Sequence, residues 1–207
     1  MAVELGTRGL HIAAPSDDRV VSLDPVQGLW TEEQYLAITD HSRRLIEYTD
    51  GFVELLPMPT RDHQAISRCL LFALFAFVQP LGGTVFYAPL RVQVRPGKYR
   101  EPDLLVLRDA QDPRNQNRYW LGADLVVEFV SPDNPARDTE VKVDDYAEAD
   151  IPEYWIVNPL DATVTVLTLV DTTYAPHGVF HRGERATSLL LAGFAVDVDE
   201  VFSTNAQ

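Results

Sequence analysis

The stretches PDLLVL (Pro102–Leu107) and DLVVEFV (Asp124–Val130) decide how this chain is read. Each is a nearly continuous apolar run, the pattern of a strand covered by other elements on both faces. Side chains alternate along a strand. Asp103, Leu105 and Leu107 therefore share one face of the first, and Asp124, Val126, Glu128 and Val130 share one face of the second. Asp103 starts its strand, whereas Glu128 lies near the end of the other. If the two strands are antiparallel neighbours, start meets end and both carboxylates converge on one point.

Such a meeting has a chemical consequence. A buried ionised carboxylate is costly unless it is paired, hydrogen-bonded or metal-bound. Two side by side repel, and one takes up a proton unless a cation sits between them. Mg²⁺ and Mn²⁺ favour oxygen ligands and usually keep several waters. Two carboxylates and a backbone carbonyl would make such a site, and the carbonyl of Phe129 is placed for it by position. Plain structural readings stand beside this one: Asp103 as a cap after Pro102, and Glu128 as one half of an ion pair with an arginine.

Beyond Glu128, SPDNP is turn chemistry, and RDTEVKVDDYAEA (residues 137–149) reads as a helix returning across the strand ends. Lys142 lies 14 residues past Glu128. A lysine there could orient a water, help it lose a proton, or stabilise charge developing on a phosphate. The competing reading is a solvated helix face, with Asp138 and Lys142 as an i,i+4 pair and Asp145 close by.

The flanking sequence completes a mixed α/β pattern. Thr31 and Gln34 form a capping box for a short helix, and RLIEYTDGFVELLP brackets Asp50-Gly51 as a hairpin. A long helix is expected from about Asp62 to Gln79, stopped by Pro80, Gly82 and Gly83; its second half is apolar on nearly every face and is expected to be deeply buried. TVFYAPL and RVQVR read as strands, RDAQDPRNQNR as a polar loop, and PEYWIVNP and ATVTVLTLV as further strands. YAPHGVFHRG and ATSLLLAGFAVDV read as a closing β-meander.

Whole-chain quantities bound the class. The 207 residues suit one domain over residues 30–207, with an irregular amino-terminal arm over residues 1–29. The single cysteine, Cys69, excludes an intramolecular disulfide framework and is read as a small buried hydrophobe. The amino terminus has no signal-peptide pattern, and the longest apolar run, Cys69 to Val78, falls short of the ~20 residues that cross a bilayer. A cytoplasmic protein without membrane attachment is expected. The net charge of −14 argues against a general nucleic-acid binder. It leaves room for a metal-dependent enzyme, because a divalent ion held by carboxylates reverses the local field. His177 and His181 lie among Pro176, Gly178 and Gly183, which disfavours a helical metal pair. Trp30, Trp120 and Trp155 are isolated, and no phosphate-binding glycine loop is present.

PDLLVL, DLVVEFVSP and RDTEVKVDDYAEADIPEYWIVNP, in that order, together with LIEYTDGFVELLPMPTRDHQ upstream, resemble the Uma family, a branch of the PD-(D/E)xK nuclease superfamily. The resemblance runs from about Trp30 to the last strand. It implies a restriction-endonuclease-like core, with a central mixed sheet flanked by helices and a β-rich carboxy-terminal part. It also implies Asp103 and Glu128 as metal-binding acids, Mg²⁺ or Mn²⁺ as cofactor, DNA as substrate and a homodimer as assembly. Val130 stands where a standard motif carries lysine, so the lysine role passes to Lys142. Asn158 replaces a common aspartate and is read as a turn residue before Pro159. Glu47 and His63 match further polar positions as outer ligand, water-positioning group or proton carrier. The structural alternatives are a Glu47 pair with Arg43 or Arg44, and a hydrogen-bonded histidine at the helix start. The overall expectation is a metal-dependent endonuclease. A catalytically silent or regulatory protein of the same fold is the alternative, and hydrolysis of another phosphoester is a third possibility.

Overall fold

In the computed structural model of the chain, residues 26–42 and 44–203 are described in full, and residues 11–13 and 20–22 by their backbone. Most of the arm expected over residues 1–29 lies outside the described residues. Of that arm, strand β1 (His11–Ala13) pairs antiparallel with β2 (Val20–Ser22).

Helix α1 (Glu32–Thr39) opens with the expected capping box: Thr31 Oγ1 accepts from Gln34 N–H, and the Gln34 side chain accepts from Thr31 N–H. Strands β3 (Ile46–Thr49) and β4 (Phe52–Leu55) form the Asp50-Gly51 hairpin, with both turn residues at positive φ (46° and 90°). Two successive left-handed residues match the twist of the flanking strands, hence aspartate followed by glycine. Strands β6 (Val92–Arg95) and β7 (Lys98–Arg100) complete a four-stranded sheet in the order β4-β3-β7-β6. The short β7 escapes a hydrophobicity reading because its sequence is only Lys-Tyr-Arg.

The larger sheet has six strands in the order β12-β11-β10-β9-β8-β5. These are β5 (Thr84–Tyr87), β8 (Leu104–Leu107), β9 (Leu125–Phe129), β10 (Glu153–Asn158), β11 (Thr163–Val170) and β12 (Thr173–Phe180). Strands β9 and β10 are parallel and the other neighbours antiparallel, so the sheet is mixed. The parallel step needs a crossover, and helix α3 (Lys142–Glu148), preceded by a π-helical turn Arg137–Val141, supplies it.

The double coverage inferred for β8 and β9 is present. Leu104, Val106, Leu125, Val127 and Phe129 pack with helix α2 (Arg61–Val78) through Ile66, Leu70, Leu74 and Val78. Leu105, Leu107, Val126 and Val130 pack on the other side with Tyr146, Tyr154 and Trp120. The even-numbered residues of β8 and the odd-numbered residues of β9 meet α2, and the alternate residues of both strands meet the side covered by α3, so neither strand shows polar alternation.

Three expectations need correction. The second half of α2 is not buried all round: Phe72 is 63% and Phe75 46% exposed, because the helix presents only the 66-70-74-78 stripe to the sheet. Cys69 flanks that stripe and is half-buried, with Sγ 3.9 Å from the Glu200 carbonyl oxygen. The closing meander is interrupted: β13 (Arg185–Thr187) pairs with β14 (Ala195–Asp197) as a separate ribbon, and helix α4 (Val198–Ser203) follows. By length and composition, α2 with its terminal turn (residues 61–81) would suffice to cross a membrane. Its buried stripe covers one sheet face.

Candidate active site

Strand pairing brings the two acids together. Leu104 lies opposite Val127, and one residue further along this antiparallel register Asp103 faces Glu128. Asp103 Oδ2 accepts the Phe129 N–H at 2.9 Å across the strand gap, so the carboxylate is fixed by the neighbouring strand. Its other oxygen, Oδ1, lies 3.1 Å from His63 Nε2. His63 occupies the first turn of α2, where Thr60 caps the helix by accepting the His63 N–H. The helix start thus sets the imidazole over the end of the sheet, packed edge-on against Phe129. His63 Nδ1 is buried without a hydrogen-bond partner.

Glu128 is 3% exposed. Its Oε1 accepts the Lys142 ammonium at 2.7 Å and also the Tyr146 hydroxyl. Lys142 Nζ lies 3.4 Å from both Glu47 Oε1 and Asp138 Oδ1. Three elements therefore converge: β9 carries Glu128, the π-turn and α3 carry Asp138, Lys142 and Tyr146, and β3 of the smaller sheet carries Glu47. The i,i+4 pair of Asp138 and Lys142 exists, but both residues are buried, which overturns the solvated-face reading. Glu47 takes Lys142 and Arg100 as partners, the latter with Nε 3.7 Å away. Arg44 is exposed in the bend before β3, and Arg43 lies outside the described residues.

An outer set of ionic groups braces the first. Arg100 Nε donates to Asp145 Oδ2 at 2.7 Å, and its guanidinium also reaches the Tyr48 and Tyr99 carbonyl oxygens and Thr49 Oγ1. Lys98 Nζ donates to Asp145 Oδ1 at 2.7 Å and Glu148 Oε2 at 2.6 Å. These bonds tie the smaller sheet to α3.

The charge balance is lopsided, with carboxylates from Glu47, Glu128 and Asp138 gathered round one ammonium. Burial pushes Glu128 well above the usual carboxylate range; Asp103, Asp138 and Glu47 push the same way, and Lys142 opposes them. Asp138 is likewise raised by burial and neighbouring acids. Burial also works against the charged form of Glu47, but Lys142, Arg100 and Arg137 outweigh it and hold that group low. Lys142 is disfavoured by burial, yet the surrounding carboxylates raise it above its ordinary value, so it remains an ammonium ion.

Asp103, Glu128, Lys142, Glu47 and His63 are thus linked by a chain of contacts, apart from one gap bridged by the Asp103–Glu128 strand register. Among the described residues, no three His, Cys, Asp or Glu side chains stand close enough to hold a metal ion by themselves. Asp138, Tyr146, Arg100 and Asp145 were not selected from the sequence as site residues. The signal available for two of them was spacing: Asp138, Lys142 and Tyr146 recur every four residues, the repeat of one helix face. Asn158 is a turn residue as read, its Oδ1 accepting the Leu160 N–H. His177 contacts Thr187 Oγ1 from a strand, without a helical partner.

Comparison with known proteins agrees with this architecture. A crystal structure of a nuclease described as putative and as belonging to DUF820, from Anabaena variabilis ATCC 29413, superposes with a TM-score of 0.71 at 20% identity. The match covers 84% of this chain and 98% of that one, and at this identity it establishes the fold. No curated protein matches the chain. The model of the Uma2 family, described as "Putative restriction endonuclease", matches residues 32–199, and the chain therefore belongs to the Uma2 family.

Proposed function

We propose that this protein is a metal-dependent endonuclease that hydrolyses DNA phosphodiester bonds, with Asp103, Glu128 and the Phe129 carbonyl holding one Mg²⁺ or Mn²⁺. The observation that carries the reading is the surplus of buried carboxylate around Lys142 beside Asp103. A hard divalent cation is the group that such an oxygen-rich, under-neutralised pocket fits. When bound, it would polarise the phosphate and lower the pKa of an attacking water.

The chain's own residues supply the rest. Lys142, kept cationic by its neighbours, is a hydrogen-bond donor and charge stabiliser for the phosphate rather than a base. Glu47 and Asp138 keep that ammonium charged and in place. His63, bonded through Nε2 to Asp103, is positioned to carry a proton at Nδ1. The working unit in this reading is a cytoplasmic homodimer of the domain over residues 30–207, whose pairing builds the DNA cleft.

A second reading, a silent or regulatory protein of the same fold, is favoured by one observation. Arginines that could form a basic rim are paired with acids: Arg137 with Glu54, and Arg95 with Asp50 and Glu148. Calorimetric titration with Mn²⁺, followed by cleavage assays on single-stranded, duplex and branched DNA, separates the two. The nuclease reading expects Mn²⁺ binding and cleavage, both lost in Asp103→Ala. Binding without cleavage of any of these substrates supports the second reading. Unaltered Mn²⁺ affinity in Asp103→Ala refutes the site.

A further inference from the structure

The buried tyrosines of this protein mostly satisfy their hydroxyls on backbone. Tyr35 donates to the Ile46 carbonyl oxygen, Tyr48 to that of Trp30 and Tyr154 to that of Asp138, and the half-buried Tyr174 likewise donates to that of Ile151. Tyr146 differs, because its hydroxyl donates to Oε1 of Glu128, the oxygen that already accepts Lys142. (Tyr99 also meets a carboxylate, Glu32 at the start of α1.) Lys142 and Tyr146 are four residues apart in α3, so a single helix face delivers both donors to one atom. Both of these hydrogen bonds fall on Oε1 of the carboxylate, not on Oε2.

The ring of Tyr146 is itself locked. It is fully buried and packs edge-on against Tyr154 at 5.0 Å, and Tyr154 in turn holds the Asp138 carbonyl of the π-turn. The Tyr146 hydroxyl consequently has little freedom to follow Glu128 if that side chain turns. Two fixed donors on one oxygen determine the rotation of the carboxylate about its last bond.

We propose that Tyr146 is a positioning residue for divalent-cation binding: with Lys142 it holds Oε1 of Glu128, so that Oε2 alone is offered to the cation. This rests on the metal-site reading given above. A donor that orients a ligating carboxylate belongs to the outer shell of a metal site, where removal typically weakens binding by about 10- to 100-fold.

The test is calorimetric titration of Mn²⁺ into the full chain carrying Tyr146→Phe, which deletes one hydroxyl and keeps the packed ring. Tyr174→Phe, the same deletion at a hydroxyl bonded to backbone, is the control, and Asp103→Ala reports on the site itself. The expected result is a Kd raised about tenfold or more in Tyr146→Phe, unchanged within about twofold in Tyr174→Phe, and no binding in Asp103→Ala. Should Asp103→Ala abolish binding while Tyr146→Phe keeps the wild-type Kd, this inference falls and the metal site stands. Equal weakening in both tyrosine variants also overturns it, since general loosening would then be the cause. Mn²⁺ binding that survives Asp103→Ala removes the site reading, and this inference with it.

Discussion

Replacing Lys142 with methionine tests the charge arrangement most directly. The ammonium lies 2.7 Å from Glu128 and 3.4 Å from Glu47 and Asp138, and the residue is 3% exposed. At an effective dielectric of about 20, each contact has a gross Coulomb energy of about 5–6 kcal/mol. Most of that is offset by the cost of taking the charges out of water. What an unfolding experiment reads is the penalty of leaving buried carboxylates without their cation, about 3–5 kcal/mol. Against a typical total stability of about 5–15 kcal/mol, such a loss is large.

The pH dependence supplies a second check. Lys142 is raised above 10.5, so its contribution is fully present below that pH and is lost only on further alkalinisation. Glu128 and Asp138 are already raised in the folded protein and rise further without the ammonium. In the variant the native state then binds more protons than the unfolded chain above about pH 4.5, and the deficit narrows as pH falls towards that value. Urea unfolding of wild type, Lys142→Met, Glu128→Gln and the double variant at pH 8 and pH 5 measures both effects. The double variant should recover part of the loss at pH 8, because one stranded charge is gone. A loss below about 1 kcal/mol at pH 8 would refute the buried-charge reasoning, as would an equal loss at both pH values.

Three further outcomes follow from other parts of the structure. Burial raises Glu101 to about 8, and Glu47 adds to the shift, so its stabilising contribution is complete below about pH 4.5 and lost as pH rises through about 8. Glu101→Gln should therefore remove a slope of about 1.4 kcal/mol per pH unit across that window; parallel stability–pH curves for variant and wild type would contradict this. Glu153 is fully buried and accepts four hydrogen bonds, from Trp155 Nε1, Ser188 Oγ and the Leu189 and Leu190 amides. Glu153→Ala should cost about 3 kcal/mol or more, with faster hydrogen exchange at those two amides; retained protection there counts against the staple. Leu74→Ala should cost about 2–5 kcal/mol while Phe72→Ser stays within about 1 kcal/mol, since Leu74 is 1% and Phe72 63% exposed. Comparable losses at both positions in thermal or urea unfolding would mean that the outer face of α2 is covered.

Local chemistry in the sequence determined much of this protein by itself. The Thr31 capping box, the Asp50-Gly51 turn and the apolar runs of β8 and β9 depend on neighbours within a few residues, or on a burial pattern that alternation exposes directly. The same alternation placed Asp103 and Glu128 each on a definite face of its strand. Which face of α2 meets the sheet was decided only in the folded chain, because an apolar sequence on every side carries no phase information. Tertiary structure alone also brought Glu47 from the smaller sheet to Lys142, and turned an apparent surface pair, Asp138 and Lys142, into buried groups sharing a site with Tyr146. Charged residues at helical spacing read alike whether they face water or one another. Only the packing of a second sheet against α3 distinguishes the two, and that packing depends on contacts between residues far apart in the chain.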